Sequence, residues 1–307
     1  MNVEESKESK ESEESEESEE SKESKESKES KESKESKESK ERDEEIEEIL
    51  GATKRVSVID VLGGRRSYCF RFVSDTYDII LKTGDKSAPG SITPDMICFG
   101  DKVKIVCSPQ RHDHEQARYK ELYSKGFNVP RPFNPSIDGC VVVDYIEGSD
   151  LRKLKGQRED EEELFRRSVV SLAQLHKQLG TYHGDPNPSN IIISSKDDAI
   201  YWIDLETQAA KHVSLEEMAA RDMRIFLSSA YAQTEKKDLI HHCLDAYSKE
   251  AGQGFGGKVK DVLYASLENA RYTDLLDHYQ KIGFGNPLLI KEVLYPLHVR
   301  RILFEDG

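Results

Sequence analysis

One stretch restricts the fold more than any other: Tyr182-His183-Gly184-Asp185-Pro186-Asn187-Pro188-Ser189-Asn190, followed by Ile191-Ile192-Ile193. Asn190 stands five residues after Asp185, and Asp204 fourteen residues after Asn190. In phosphoryl transfer of the kinase type, a loop Asp accepts the proton of the acceptor hydroxyl. An Asn five residues on holds Mg²⁺, and a later Asp holds the metal against the ATP phosphates. The spacing has a physical cause. Base and first metal ligand share one rigid loop, and a short hairpin returns the second ligand to the same cleft. Ile191–Ser194 and Ala199–Ile203 read as its two strands, with Ser195-Lys196-Asp197-Asp198 as the turn. An Asp and an Asn at this spacing are common alone. His183-Gly184 before them and Trp202-Ile203-Asp204 behind them give the pattern weight.

The upstream sequence supplies the expected neighbours. Val56–Leu62, Ser67–Val73 and Tyr77–Lys82 read as three strands, the first ending in Gly63-Gly64. Gly63 and Gly64 would let backbone N–H groups approach phosphate oxygens, and Lys82 would reach the α- and β-phosphates. A plain hairpin turn is the competing reading of the glycine pair. Lys104 also ends a strand-like run, after the Gly100-Asp101 turn, and is the alternative phosphate lysine. A helix is expected from Glu115 to Lys125, stopped by Gly126. Glu115 would open it and pair with the strand lysine, or simply sit favourably on the helix dipole. Cys140–Val143 reads as a buried strand that runs into Asp144 and Tyr145, where backbone atoms of a hinge would contact adenine.

Helical signals dominate the remainder. Leu164, Val169, Leu172, Leu175 and Leu179 mark an amphipathic helix from Glu161 to Leu179, ended by Gly180. Ser214-Leu215-Glu216-Glu217 is a capping box that opens a helix to about Ala232. Lys236 to Lys249 is a further helix, Gly252 to Gly257 a loop, and helical sequence continues from Lys258. These signals predict an α+β, protein-kinase-like fold of two lobes, with a β-rich N-lobe over 46–143 and a helical C-lobe over 144–307.

The 307-residue chain carries a formal net charge of −14, unevenly placed. Met1 to Glu45 holds 20 acidic and 10 basic residues, the rest 39 and 35. This tail repeats Ser-Lys-Glu and Ser-Glu-Glu with almost no apolar residue. It has no core to offset ordering entropy, so residues 1–45 read as disordered, with recruitment of a protein partner as the functional alternative. The near-balanced remainder gives no basic surface for DNA. Five scattered cysteines without a Cys-x-x-Cys point to a reducing compartment and no structural zinc. With a charged N-terminus and no long apolar run, the expectation is a cytoplasmic protein, with peripheral contact at the inner face of a membrane compatible with it.

With these residues in place, the chain resembles the protein-kinase-like phosphotransferases. Within them it is most similar to the lipopolysaccharide core kinases (the Kdo and heptose kinase, WaaP/InaA-like group). The resemblance runs from about Leu62 to Tyr247. It is carried by Gly64-Arg65-Arg66-Ser67, Phe70-Arg71-Phe72 and Ile80-Leu81-Lys82. Ile200-Tyr201-Trp202-Ile203-Asp204-Leu205 and Arg221-Asp222-Met223 carry it further. The resemblance implies Asp185 as base, Asn190 and Asp204 as metal ligands, Lys82 with Glu115 as the ATP pair, and ATP with Mg²⁺ as co-substrate and cofactor. It also implies a glycan or small-molecule acceptor. His183-Gly184-Asp185 with Pro188-Ser189-Asn190 is similar as well to the aminoglycoside phosphotransferases and to the atypical kinase of the KEOPS tRNA-modification complex. An ordinary protein kinase fits less well. Asn187 stands where the catalytic-loop Lys would be, Asp204-Leu205-Glu206 where Asp-Phe-Gly would be, and no Ala-Pro-Glu follows. A catalytically weak nucleotide-binding module is the third reading.

Overall fold

The computed structural model describes residues 55–60, 67–84, 99–100, 108–133, 139–271 and 287–305. The expected tail, the Gly63-Gly64 turn and the Lys104 strand lie outside the described residues. Those described all belong to one compact unit.

Alternating β-branched and aromatic residues build an antiparallel sheet from strands β1 (Arg55–Asp60), β2 (Ser67–Val73), β3 (Asp78–Gly84) and β4 (Cys140–Asp144), in that order. Ser74 closes the β2–β3 turn, its N–H donating to the Tyr77 carbonyl and its Oγ accepting from the Tyr77 N–H, both at 2.8 Å. Strand β3 continues two residues past Lys82, pairing Lys82 with Cys69 on one side and Val141 on the other. Cys140–Val143 is buried throughout, because helix α1 (Ser108–Ser124) covers one face of β4. Gln116 joins the two: its Oε1 accepts from the Val142 N–H at 2.9 Å, and its Nε2 donates to the Phe133 carbonyl.

Helix α1 starts earlier than expected. Glu115 lies two turns inside it and not at its N-terminus, so the helix-dipole reading of Glu115 fails. Ser108-Pro109 is the true opening, where proline's missing N–H is harmless. His112-Asp113-His114 are weak helix formers that hid the first turns in the sequence.

Helix α2 spans Glu161–Leu179, the predicted bounds. Gly180 ends it in the left-handed conformation at φ 64°, its N–H donating to the Leu175 carbonyl. A second sheet of β5 (Gly148–Asp150), β6 (Ile191–Ser194) and β7 (Ile200–Trp202) includes the predicted hairpin and one strand the sequence does not announce. Gly148 makes β5 possible: a Cβ there would sit 2.2 Å from the Ile193 carbonyl oxygen. Helix α3 (Leu215–Thr234) begins at the Ser214–Glu217 capping box and runs two residues beyond the expected Ala232. Helix α4 (Lys237–Glu268) replaces the expected loop at Gly252 to Gly257. Only Gly252 is non-helical (φ 75°, ψ 160°), so the glycines make one kink and not a break. Helix α5 (Pro287–Glu305) packs on α3 and α4. Leu164, Phe165, Leu172, Leu175, Trp202, Met223 and Phe226 form the centre of the core.

Candidate active site

The loop between α2 and β6 is fixed from below. Asp222, fully buried on α3, accepts from the backbone N–H groups of His183 at 2.6 Å and Gly184 at 2.9 Å. It also accepts from His176 Nε2 at 3.1 Å, while His176 Nδ1 accepts from the Tyr247 hydroxyl at 2.8 Å. Burial opposes the Asp222 charge. The hydrogen bond from His176 and the Arg221 guanidinium outweigh that and hold the carboxyl below its ordinary range. Arg221 donates to the Gly184 carbonyl, and Arg118 of α1 to the carbonyls of Tyr182 and His183. Gly184 itself is required: φ is +98°, and a Cβ would collide with Thr207 at 2.3 Å.

His183 bridges the loop to the hairpin. Its Nε2 donates to the Ile203 carbonyl at 3.1 Å and its Nδ1 accepts from the Asp185 N–H at 3.2 Å. Acceptance at Nδ1 needs the neutral ring, and burial holds its pKa down to about 4. Asp185 Oδ2 accepts from Asn187 Nδ2 at 3.0 Å and Asn190 Nδ2 at 3.2 Å. Asn187 also caps the short turn Pro188–Asn190, its Oδ1 accepting from the Ser189 N–H. The backbone then binds the two predicted metal ligands together: the Asn190 carbonyl accepts from the Ile203 N–H at 3.0 Å, one residue before Asp204. Asp204 takes φ 65°, a left-handed conformation that Asp tolerates, and donates its N–H to the Tyr119 hydroxyl at 3.0 Å.

Across from this loop lies Lys82. Its Nζ is 2.8 Å from Glu115 Oε2, 3.3 Å from Glu206 Oε2, and in contact with Asp204 Oδ1. Lys82 and Glu115 are buried. Burial works against the Lys82 charge, but the carboxylates of Asp204, Glu115 and Glu206 win and hold the ammonium well above its ordinary range. The same burial pushes the Glu115 carboxyl up to about 7 against the pull of Lys82. Asp204 is held below its ordinary range: burial opposes its charge, but Lys82 and, more weakly, Arg111 overcome that. Three carboxylates around one ammonium leave excess negative charge, only partly offset by Arg111, whose Nε lies 3.2 Å from Glu206. Hard oxygen ligands in a locally anionic cleft suit a divalent cation such as Mg²⁺. Asn190 has its Nδ2 committed to Asp185, which leaves its amide oxygen to ligate.

The structure therefore gathers Asp185, Asn190, Asp204, Lys82 and Glu115 into one cleft. Asp144 and Tyr145 stand at the end of β4, but their backbone N–H groups are already donated to Arg131 and Asp78. Backbone contact with a purine edge at Asp144 and Tyr145 would therefore not use these two donors. The Tyr145 ring instead carries the Arg71 guanidinium at 3.6 Å. Gly63, Gly64 and Lys104 lie outside the described residues. Sequence reasoning assigned no role to Asp222, Arg118 or Glu206. The charged cluster Arg221, Asp222 and Arg224 among the apolar residues of Met218 to Leu227, and a polar buried stripe on α1, are the signals that could have found the first two.

A sequence profile of the RIO domain, an atypical protein-kinase-like module, matches residues 104–238. None of the curated proteins matches the chain. Solved structures with a similar arrangement include the Rio2 kinase of Chaetomium thermophilum in an ADP/Mg²⁺-phosphoaspartate complex. It is 19% identical, with TM-score 0.43, over 70% of this chain and 69% of that one. The aminoglycoside phosphotransferase APH(4)-Ia with ADP and hygromycin B is 11% identical, with TM-score 0.49, over 85% and 98%. WaaP in complex with acyl carrier protein is 13% identical, with TM-score 0.42, over 72% and 91%. These are distant likenesses, and the protein-kinase-like fold rests on the profile match and on the geometry above. The profile match favours the atypical-kinase reading over the lipopolysaccharide core kinases.

Proposed function

We infer, from the premise that the chain is an ATP-dependent kinase with a RIO-type core, that it transfers the terminal phosphoryl group of ATP to a hydroxyl held beside Asp185. One observation carries this reading: the loop base, both oxygen ligands and the lysine–glutamate pair converge on one cleft. Asp185 is set to take the acceptor proton, its carboxylate aimed by the amides of Asn187 and Asn190. Lys82, oriented by Glu115, meets phosphate oxygens, and Asn190 and Asp204 would hold Mg²⁺. A divalent cation held by them would offset the charge that develops during transfer. His183 and Asp222 touch no substrate; they position the loop.

The acceptor we propose is a protein serine or threonine, as the atypical-kinase type suggests. A sugar hydroxyl is the second reading, supported by the short stretch between Asp204 and α3. Only ten residues, 205 to 214, separate Asp204 from Leu215, and the Ala209 N–H is tied to the Tyr182 hydroxyl at 2.7 Å. That stretch offers little length for aligning an extended peptide. The test is a γ-phosphate transfer assay on the full chain with ATP and Mg²⁺, run against mixed protein, glycan-sugar and aminoglycoside acceptors. Phosphorylated serine or threonine supports the leading reading, and labelled sugar alone supports the second. Absence of transfer and of ADP formation under all conditions contradicts both.

A further inference from the structure

Glu206 stands where the glycine of an Asp-Phe-Gly motif would be, and its carboxylate faces the phosphate lysine. Leu205 explains how: its side chain is fully buried, and the positive φ at Asp204 turns the chain so that residues 204 and 206 face one side. Lys82 has three ammonium protons, and three carboxylates take them: Glu115, Asp204 and Glu206. For phosphate oxygens to reach Lys82, one of these must withdraw.

The three are not equally able to leave. Glu115 is 1% exposed and fixed on α1. Asp204 donates its backbone N–H to the Tyr119 hydroxyl, and the preceding Ile203 N–H donates to the Asn190 carbonyl. Glu206 makes the longest contact, 3.3 Å, and like Asp204 is only partly buried, 26% against 29% exposed. It also has a second cation within reach, Arg111 Nε at 3.2 Å, placed as an ion pair without hydrogen-bond alignment. A small rotation would give Glu206 wholly to Arg111.

We propose that Glu206 is the stand-in for phosphate on Lys82, displaced onto Arg111 when a nucleotide enters, so that it determines the affinity of the site for phosphate-bearing nucleotides. The inference rests on the nucleotide reading of this cleft. It makes the free enzyme's own carboxylate a competitor of the nucleotide phosphates, an arrangement a glycine at this position could not provide. The ion pair with Arg111 also keeps the displaced carboxylate from being left uncompensated in a partly buried place.

Calorimetric titration of the full chain with metal-free ADP, with adenosine and with Mg·ADP tests this, comparing wild type with Glu206→Gln. The substitution should tighten metal-free ADP by at least about fivefold, the worth of roughly one partly exposed ion pair. It should leave adenosine, which has no phosphate, unchanged. Glu206→Ala, which removes the amide oxygen too, should tighten ADP at least as much, with melting of both variants close to wild type. Unchanged or weaker ADP binding overturns the proposal, as does equal tightening of adenosine. Weakening confined to Mg·ADP also overturns it: His112, Glu115 and Glu206 place donor atoms within 4.8 Å of one another, and Glu206 would then be a cation ligand. If neither protein binds ADP or adenosine, the nucleotide reading fails and this inference falls with it.

Discussion

Helices α1 and α2 have 17 and 19 residues and lie against the same core, yet they bury opposite chemistries. The hidden face of α2 is mostly apolar, Leu164, Phe165, Val169, Leu172, Ala173 and Leu175, with Ser168 and His176 as its polar members. That of α1 includes His112, Glu115, Gln116, Arg118 and Tyr119, with Leu122 closing the stripe. Burial of aliphatic side chains stabilises a fold by the area removed from water. Burial of charge and polarity costs free energy unless every group is paired. Each member of the α1 stripe is paired, and each pair reaches a different part of the cleft. Glu115 meets Lys82, Gln116 meets β4, Arg118 meets the loop before Asp185, and Tyr119 meets Asp204. The comparison teaches that α2 chiefly holds the molecule together, reaching the site through His176 and Asp222, while α1 chiefly holds the site together.

The largest effect expected from this division is on stability. Leu172→Ala on α2 should lower unfolding free energy by about 2–5 kcal/mol, with kcat/KM per folded molecule unchanged. Chemical denaturation with parallel activity assays checks both halves. Loss of activity in the folded fraction would break the division.

Glu115→Gln on α1 should do the reverse. Losing the Lys82 partner should cut kcat/KM at least about tenfold, equivalent to 1.4 kcal/mol. Melting should hold or rise, since a carboxyl pushed up to about 7 by burial is no longer forced to ionise. A melting drop like that of Leu172→Ala would put Glu115 among the structural residues.

Acid sharpens the contrast further. His112 on α1 and His183 in the loop are held neutral by burial, both near pKa 4 against an ordinary 6.5. A base with a depressed folded pKa contributes stability that is full above the unfolded value and lost as pH falls through the folded one. Stability should therefore decline from pH 6.5 down through 4. Leu172→Ala should shift that curve without changing its slope, and His112→Gln should flatten it. Identical slopes in both variants would show that α1 does not carry the titration.

The smallest effect belongs to the outer face of α2. Arg166 and Glu163 pair at 2.5 Å but are both about half exposed, so Arg166→Ala should move stability by no more than about 0.5 kcal/mol. A larger change in a urea titration would mean that this face is covered in solution.

What could be read in the sequence divides along the same line. Signals that act within a few residues are legible: the β6–β7 hairpin, the bounds of α2 with Gly180, the capping box at Ser214. So is the Asp185, Asn190, Asp204 set, because its spacing is a consequence of the hairpin. What depends on distant partners is not. Asp222 acts through backbone groups 38 and 39 residues away. Strand β5 has no apolar pattern and exists because Gly148 lets the Ile193 carbonyl approach. The first turns of α1 were obscured because its hidden residues are polar, which defeats a search for apolar periodicity. The run Gly252 to Gly257 looked like a loop, yet packing keeps all but Gly252 helical. Acceptor class belongs to this second kind too, since it depends on how residues around the cleft meet a second molecule.

The central claim is that Asp185 is the base of a phosphoryl-transfer site whose nucleotide is held by other residues. Single-turnover transfer of labelled phosphate from Mg·ATP, measured beside ADP affinity in wild type and Asp185→Ala, addresses it directly. The account predicts a rate lowered by about 10²–10⁴-fold, the usual worth of a general base, with ADP affinity within about twofold of wild type. Transfer at the wild-type rate in Asp185→Ala would contradict it.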